Sequence, residues 1–265
     1  MKKILSLSCT CVDVFPDKGT AEAGGNSLNV AASCALTKRA AVYLMGNIGT
    51  DAYAADIKEK AEKYGIDCSR LYEAEGESAY NTIRITPDGD RIISDDNWVN
   101  GVYIDFEISP EDEAFVRSMD AVATTCRDPV LSQLLELRRT SEFLLSADFM
   151  ERVPSEDWKR MFNAIDLFFI SGKPEFLPVL RQWSCEFPRV IFTATLGEYG
   201  SVSFKAGSEY KCKAVQVNEV IDTTGCGDSY QGAFVVDYLY SSDIETAMKA
   251  GSESAAKTLS FVGAC

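Results

Sequence analysis

Between residues 4 and 195 the chain repeats one unit, a short apolar run followed by a longer amphipathic segment. Residues 4–8, 41–45, 121–124, 143–146, 167–170 and 190–195 read as strands, and residues 28–36, 53–64, 130–138, 158–164 and 175–183 as helices between them. Strands that are apolar on both faces need cover on both, and parallel neighbours need helical crossovers between them. The pattern therefore predicts an α/β fold, a mostly parallel sheet flanked by helices on both faces, with ligands beyond the carboxyl ends of the strands. Two stretches break the rhythm. Residues 10–22 read as a hairpin, and residues 79–104 as loop and hairpin, with alternation in Thr82-Ile83-Arg84-Ile85 and a turn at Pro87-Asp88-Gly89-Asp90. No internal repeat, low-complexity tract or interdomain linker interrupts the chain, so residues 1–265 are expected to form one domain.

At 265 residues, 46% hydrophobic and 25% charged, the chain can bury a large core. The formal net charge of −14, with no basic run, sets it against a nucleic-acid partner. The first apolar run is broken by Ser6 and Ser8 and is too short for a signal segment, and no stretch has membrane-spanning length. A cytoplasmic location with no membrane partner is the expectation. The nine cysteines form no Cys-x-x-Cys pair, and histidine is absent, so neither a thiolate–imidazole dyad nor a Cys/His zinc site can be built. Free thiols are expected, and acid–base chemistry must fall to carboxylate, Lys, Tyr or Cys.

One stretch combines glycines with such a carboxylate: Asp222-Thr-Thr-Gly-Cys-Gly-Asp-Ser-Tyr-Gln-Gly-Ala-Phe234. It lies between a β-rich run at residues 213–221 and an apolar segment with helical spacing. Gly225 and Gly227 let backbone amides approach a ligand, and the helix start adds unpaired donors and a positive dipole end. Asp228 in that first turn reads either as a cap binding an N–H or as a base taking a proton from a substrate hydroxyl while the amides hold a phosphoryl group.

The stretch resembles the second signature of the PfkB (ribokinase-like) carbohydrate kinases, whose usual form is Asp-Thr-x-Gly-Ala-Gly-Asp, with Cys226 replacing the common alanine. Gly24-Gly25-Asn26-Ser27-Leu28-Asn29-Val30-Ala31, continued by Gly46-Asn47-Ile48-Gly49-Thr50-Asp51, is similar to the first signature. Thr195-Leu196-Gly197-Glu198-Tyr199-Gly200 is similar to the family's nucleotide loop. Together the three motifs imply a ribokinase-like fold in which parts of 10–22 and 79–104 form a small β lid over a sugar. Within the family, the short chain and the run 255–264 are most similar to the branch that phosphorylates fructoselysine.

The resemblance implies an ATP-dependent sugar kinase using Mg²⁺, with Asp228, Gly225, Cys226 and Gly227 at the catalytic centre. Asp13, Gly24, Gly25, Asn26 and Asn29 would bind the sugar, although Asn26 stands where ribokinases often carry lysine. Taken alone, Asp13 also fits a solvated loop aspartate, and Asn26 a helix cap. Thr195, Gly197, Gly200, Gly225, Gly227 and Ser252 would bind the nucleotide, with Gly263 and Ala264 flanking adenine. Glu175 would serve Mg²⁺ through water, one position away from the glutamate of the family's Asn-x-x-Glu motif. Asp222 would shape the loop or a monovalent cation site. Asp95-Asp96-Asn97-Trp98 offers carboxylates and an aromatic face to a cationic amine. A homodimer through the lid is a further expectation. A kinase for fructose, ribose or a nucleoside would keep the same catalytic residues, whereas a non-catalytic sensor would not need Asp228 with both glycines.

Overall fold

Alternation along the strands decides which helices cover which face. The computed structural model describes residues 1–7, 9–85, 91–92 and 97–260. The larger sheet comprises β1 (Lys2–Ser6), β4 (Ala40–Ile48), β5 (Asp67–Glu73), β10 (Ala121–Thr125), β11 (Leu144–Asp148), β12 (Leu167–Ser171), β13 (Ile191–Thr195), β14 (Ser201–Lys205) and β15 (Ser208–Cys212). Its order is β15-β14-β13-β12-β11-β10-β1-β4-β5. From β13 to β5 all neighbours are parallel, and β14 and β15 add an antiparallel edge.

The helices are α1 (Gly25–Leu36), α2 (Ala52–Lys63), α3 (Pro110–Arg117), α4 (Leu131–Arg139), α5 (Leu177–Glu186), α6 (Cys226–Ser241) and α7 (Ile244–Thr258). Ile4, Val42, Ala123, Phe169 and Ile191 point to one face, where Leu28 of α1, Ile57 of α2, Phe234 of α6 and Met248 of α7 cover them. The adjacent residues Leu5, Val122, Leu145, Phe168 and Phe192 point to the other, under Val116 of α3, Leu134 of α4 and Trp183 of α5. Each such side chain contributes roughly 1.5–3 kcal/mol by burial. Phe162 and Phe192 centre that second layer, with ring centroids 5.0 Å apart.

The stretches that interrupt the rhythm form a second sheet of β2 (Cys11–Phe15), β3 (Thr20–Gly24), β6 (Tyr80–Thr82) and β9 (Trp98–Val99), in the order β3-β2-β6-β9. A short pair, β7 (Arg84–Ile85) and β8 (Arg91–Ile92), stands apart from it. The turn expected at residues 87–90, Asp95 and Asp96, and Gly263 and Ala264 lie outside the described residues.

Three sequence expectations need correction. Residues 158–164 are not α-helical: a 3-10 helix, Glu156–Arg160, runs into turns closed by i to i−3 bonds, as from Ala164 N to Met161 O at 2.9 Å. The tighter winding still seats Trp158 against Phe149 and Phe162 against Phe168. Residues 213–221 form no strand, because β14 begins at Ser201, whose pairing with Cys212 ends the ladder. Residues 174–176 are a 3-10 turn, so α5 starts only at Leu177. Among the described residues no helix is long and apolar enough to cross a membrane.

Candidate active site

The main sheet reverses its strand order between β1 and β10, and the carboxyl ends on either side of that point are where a doubly wound sheet opens a crevice. Helix α6 starts there. Whereas α2, α3 and α7 begin with side-chain caps from Asp51, Ser109 and Asp243, α6 begins at Gly225 with φ +70° and no side-chain cap. Ser229 N reaches Gly225 O at 2.8 Å, but among the described residues the amides of Gly227 and Asp228 have no acceptor. A Cβ on Gly227 would meet only Ser171 Oγ, at 3.8 Å, so the turn is open on the side of β12. Asp222 shapes this turn by accepting from Thr224 N at 2.9 Å and Thr224 Oγ1 at 2.8 Å. The Cys226 thiol points away, toward Ala255 O at 3.8 Å. Burial, with Asp222 and Asp228 adding, pushes that thiol up to about 11.

Asp228 is buried and held from α1: Asn26 Nδ2 donates to Oδ1 at 2.8 Å and Asn29 Nδ2 to Oδ2 at 2.9 Å. Burial pushes its carboxyl up to about 6 against the pull of Asn29 and Asn26, and the charge of Asp13 adds to the rise. The carboxylate is therefore ionised near neutral pH and basic enough to accept a proton.

The two helices come this close because Gly232 has no side chain. A Cβ there would lie 2.7 Å from Ser33 Cβ and from Val30 O. Gly25, with φ +85°, meets its own chain: a Cβ would lie 2.5 Å from Cys9 O and 2.9 Å from Cys11 N. Gly24 borders the polar space directly, with Asn29 Oδ1 3.7 Å and Asp13 Oδ2 4.0 Å from where its Cβ would stand.

The residues expected on the nucleotide side gather farther along the same edge. Thr195 pairs with Ser201 and Ser201 with Cys212, whose Sγ lies 3.4 Å from Ser252 Oγ, so Thr195 and Ser252 share the carboxyl end of the sheet. The turn between β13 and β14 uses Gly197 and Gly200, both at positive φ, and a Cβ on Gly200 would overlap Cys212 O. From β1 to β13 is four strand steps, roughly 19 Å at ~4.8 Å each, a stretch of sheet edge long enough to lie beside a sugar and a nucleotide end to end. Glu175 is exposed just past β12, four residues after Ser171. A hydrated divalent ion fits a solvent-facing carboxylate there, and among the described residues no cluster of three or more His, Cys, Asp or Glu could hold a metal directly.

Two site residues escaped the sequence reading. Asp148 ends β11, a strand read as finishing at residue 146. Gln231 Nε2 donates to Ser146 Oγ at 2.8 Å, which sets α6 against β11. Asp148 is two residues on from Ser146 on the same strand face, and Asp228 is one helical turn before Gln231, so the two carboxylates confront each other. Burial pushes the Asp148 carboxyl up to about 7 against the Met150 amide, with Asp228 and Glu151 adding to the rise. The second residue is Asn81, paired in register with Asp13 across β2 and β6. The signal for Asp148 was its place at the carboxyl end of a parallel strand. Asn81 gave none, since register is not written in composition.

Unpaired amides at a glycine turn beside a buried carboxylate are the groups that phosphoryl transfer to an alcohol uses. The model of the pfkB family carbohydrate kinases matches residues 12–173 and 186–265. The chain belongs to that family and is a sugar kinase, a phosphotransferase with an alcohol group as acceptor. It is 28% identical over 266 residues to the fructoselysine 6-kinase of Escherichia coli (strain K12), covering 100% of both chains. It is 24% identical over 267 residues to a Bacillus subtilis fructosamine kinase, covering 99% of this chain and 92% of that one. In fold it matches Arabidopsis thaliana ribokinase complexed with ribose and ATP, with a TM-score of 0.83 at 18% identity over 99% of this chain and 94% of that one.

Proposed function

We propose that the protein transfers the γ-phosphate of ATP to the primary 6-hydroxyl of fructoselysine. The observation that carries the mechanism is the placement of Asp228, ionised and fixed by Asn26 and Asn29, beside the unpaired Gly227 and Asp228 amides. As the sugar hydroxyl oxygen bonds to the γ-phosphorus, Asp228 takes its proton, and the bond from that phosphorus to the β-phosphate oxygen breaks to release ADP. The amides at the head of α6 hold the equatorial oxygens, where charge gathers in the transition state. Mg²⁺ carried by ATP supplies neutralisation of the triphosphate, and Glu175 is the residue that would hold it through water. Asp222, occupied with Thr224, serves the shape of the loop.

Asp13 and Gly24 border the sugar side, under the small sheet acting as a lid. Thr195, Gly197, Gly200 and Ser252 border the nucleotide side. The substrate assignment is supported by the full-length likeness to fructoselysine and fructosamine kinases. Glu22, paired with Asp13 across the lid, suits the cationic amine of such a conjugate. The outer strands of the lid, β3 and β9, have no further partner strand among the described residues, which supports pairing of two copies through it.

The test is ATP consumption with Mg²⁺ against fructoselysine, other fructosamines, fructose, ribose and adenosine. Preference for fructoselysine is expected. Turnover of a plain sugar or nucleoside alone would keep the mechanism and discard the substrate. ATP binding without turnover of any of them would point to a sensor.

A further inference from the structure

In a chain with a formal net charge of −14, two exposed arginines stand together at the carboxyl end of the main sheet, just past neighbouring strands. Thr125 and Asp148 are opposed where β10 and β11 end, and Cys126 N donates to Asp148 O at 2.9 Å. Arg127 follows one residue later. Arg152 stays at the same edge because Met150, at φ +55°, turns the chain and Arg152 N reaches Phe149 O at 3.4 Å. The Cys126 thiol lies within the field of both guanidinium groups: burial pushes it up, while Arg152 and Arg127 pull it down against Asp148. Arg70 and Arg138 are paired with Glu111 and Asp166, whereas Arg152 makes no ion pair among the described residues.

Arg127 lies toward the sugar side. Its strand, β10, neighbours β1, and the glycine loop of the nucleotide side follows β13, three strand steps away, roughly 14 Å. The loop after β10 also meets the base of the lid: beyond burial and Cys11, the charges of Asp128 and Asp13 both raise the Cys9 thiol. The site residues along this edge, Asp13, Asp148, Asp228 and Glu175, are all carboxylic acids. A plain sugar gives a guanidinium no charge to pair with, and the triphosphate is already served by Mg²⁺ and the amides at the head of α6. Fructoselysine carries a further anion, because the sugar is joined through the side-chain amine of lysine and the α-carboxylate stays free. The planar fork of an arginine matches a carboxylate with two hydrogen bonds.

We propose that Arg152, with Arg127 beside it, binds the α-carboxylate at the amino-acid end of the substrate and so separates sugar–amino acid conjugates from plain sugars. The inference rests on the fructoselysine reading of this site and adds which group of the conjugate, outside the sugar ring, is recognised.

The test is steady-state kinetics of the wild type, Arg152→Gln, Arg152→Lys and Arg127→Gln with two substrates: fructoselysine, and its analogue lacking the carboxylate, fructose joined to 1,5-diaminopentane. The wild type is expected to favour fructoselysine at least ~10-fold in kcat/KM. Arg152→Gln should lower kcat/KM for fructoselysine at least ~10-fold and leave the analogue, and KM for ATP, within about twofold. Arg152→Lys, which keeps the charge without the fork, should fall between, and Arg127→Gln should repeat the pattern with a smaller loss. Thermal midpoints should not change, since both side chains are exposed. Equal kcat/KM for the two substrates in the wild type, or an equal loss on both in Arg152→Gln, would overturn the inference and leave the substrate reading in place. A raised KM for ATP with both substrates would overturn it by making the anion a phosphate. Phosphorylation of a plain sugar but of neither conjugate would remove the substrate reading, and this inference with it.

Discussion

Asn29 of α1 donates its amide to Asp228 of α6 at 2.9 Å, joining the helix that leaves the small sheet to the helix that starts at the glycine turn. With Asn26 on the other oxygen, both carboxylate oxygens are fixed before any ligand arrives. A bare buried carboxylate would be protonated near neutral pH, and these two amides keep it ionised.

A pH dependence follows from that bond. With the Asp228 carboxyl at about 6, kcat/KM should fall about tenfold per pH unit below that value. Asn29 lowers the carboxyl by donating to its charged form, so Asn29→Ala should raise it and move the acid limb to higher pH. A pH profile of the variant that kept the wild-type limb would show that Asp228 is not the titrating group.

Asp148 gives a stability prediction of definite sign. Its carboxyl is raised from 3.8 to about 7 in the folded protein, so the folded state holds the proton more tightly than the unfolded chain. The resulting stabilisation is full below about pH 4 and is lost as pH rises through about 7. Asp148→Asn, which copies the neutral acid, should add stability on the order of 1–4 kcal/mol at pH 8, seen as a higher thermal midpoint, and change little at pH 4. Thermal denaturation at the two pH values checks it.

Gly232 should matter to activity without touching a ligand. Gly232→Ala drives a methyl into Ser33 and the Val30 carbonyl, forcing α1 away from α6. A loss of about 1–3 kcal/mol in stability is expected, together with a fall in kcat as Asn29 leaves Asp228. Denaturant unfolding and steady-state kinetics measure the two effects, and an unchanged kcat would break the link between helix contact and carboxylate position.

Cys226 should be dispensable. Its thiol is raised to about 11 and points at Ala255 O rather than toward the open side of the turn. Cys226→Ala should retain kcat within about threefold, and iodoacetamide at pH 7.5 should modify exposed Cys185 well before Cys226.

The βα rhythm was legible because two-sided apolar strands and amphipathic helices differ in period, and the glycine turn because Gly225 needs positive φ. Residues 158–164 misled because Trp158 and Phe162 sit four apart, the spacing of a helix face, while the backbone winds as 3-10. The run 213–221 misled because Val215, Val220 and Ile221 are strand formers, yet they stay exposed where the β14 ladder has run out. The glycines were also read too generally: Gly25 accommodates its own chain at Cys9 and Cys11. Asn26 and Asn29 were read from the sequence as sugar contacts, and their grip on Asp228 was not legible, because it joins residues about two hundred positions apart and depends on Gly232 bringing two helices together.

The central claim is that the Asp228 carboxylate takes the proton of the sugar hydroxyl. The most direct measurement compares wild type with Asp228→Asn for ATP binding by calorimetry and for kcat with fructoselysine, or with whichever sugar of the panel turns over. Near-normal ATP affinity with kcat lowered by at least ~10² is the predicted result. Near-wild-type kcat in the variant would contradict it and leave Asp228 as no more than a helix cap.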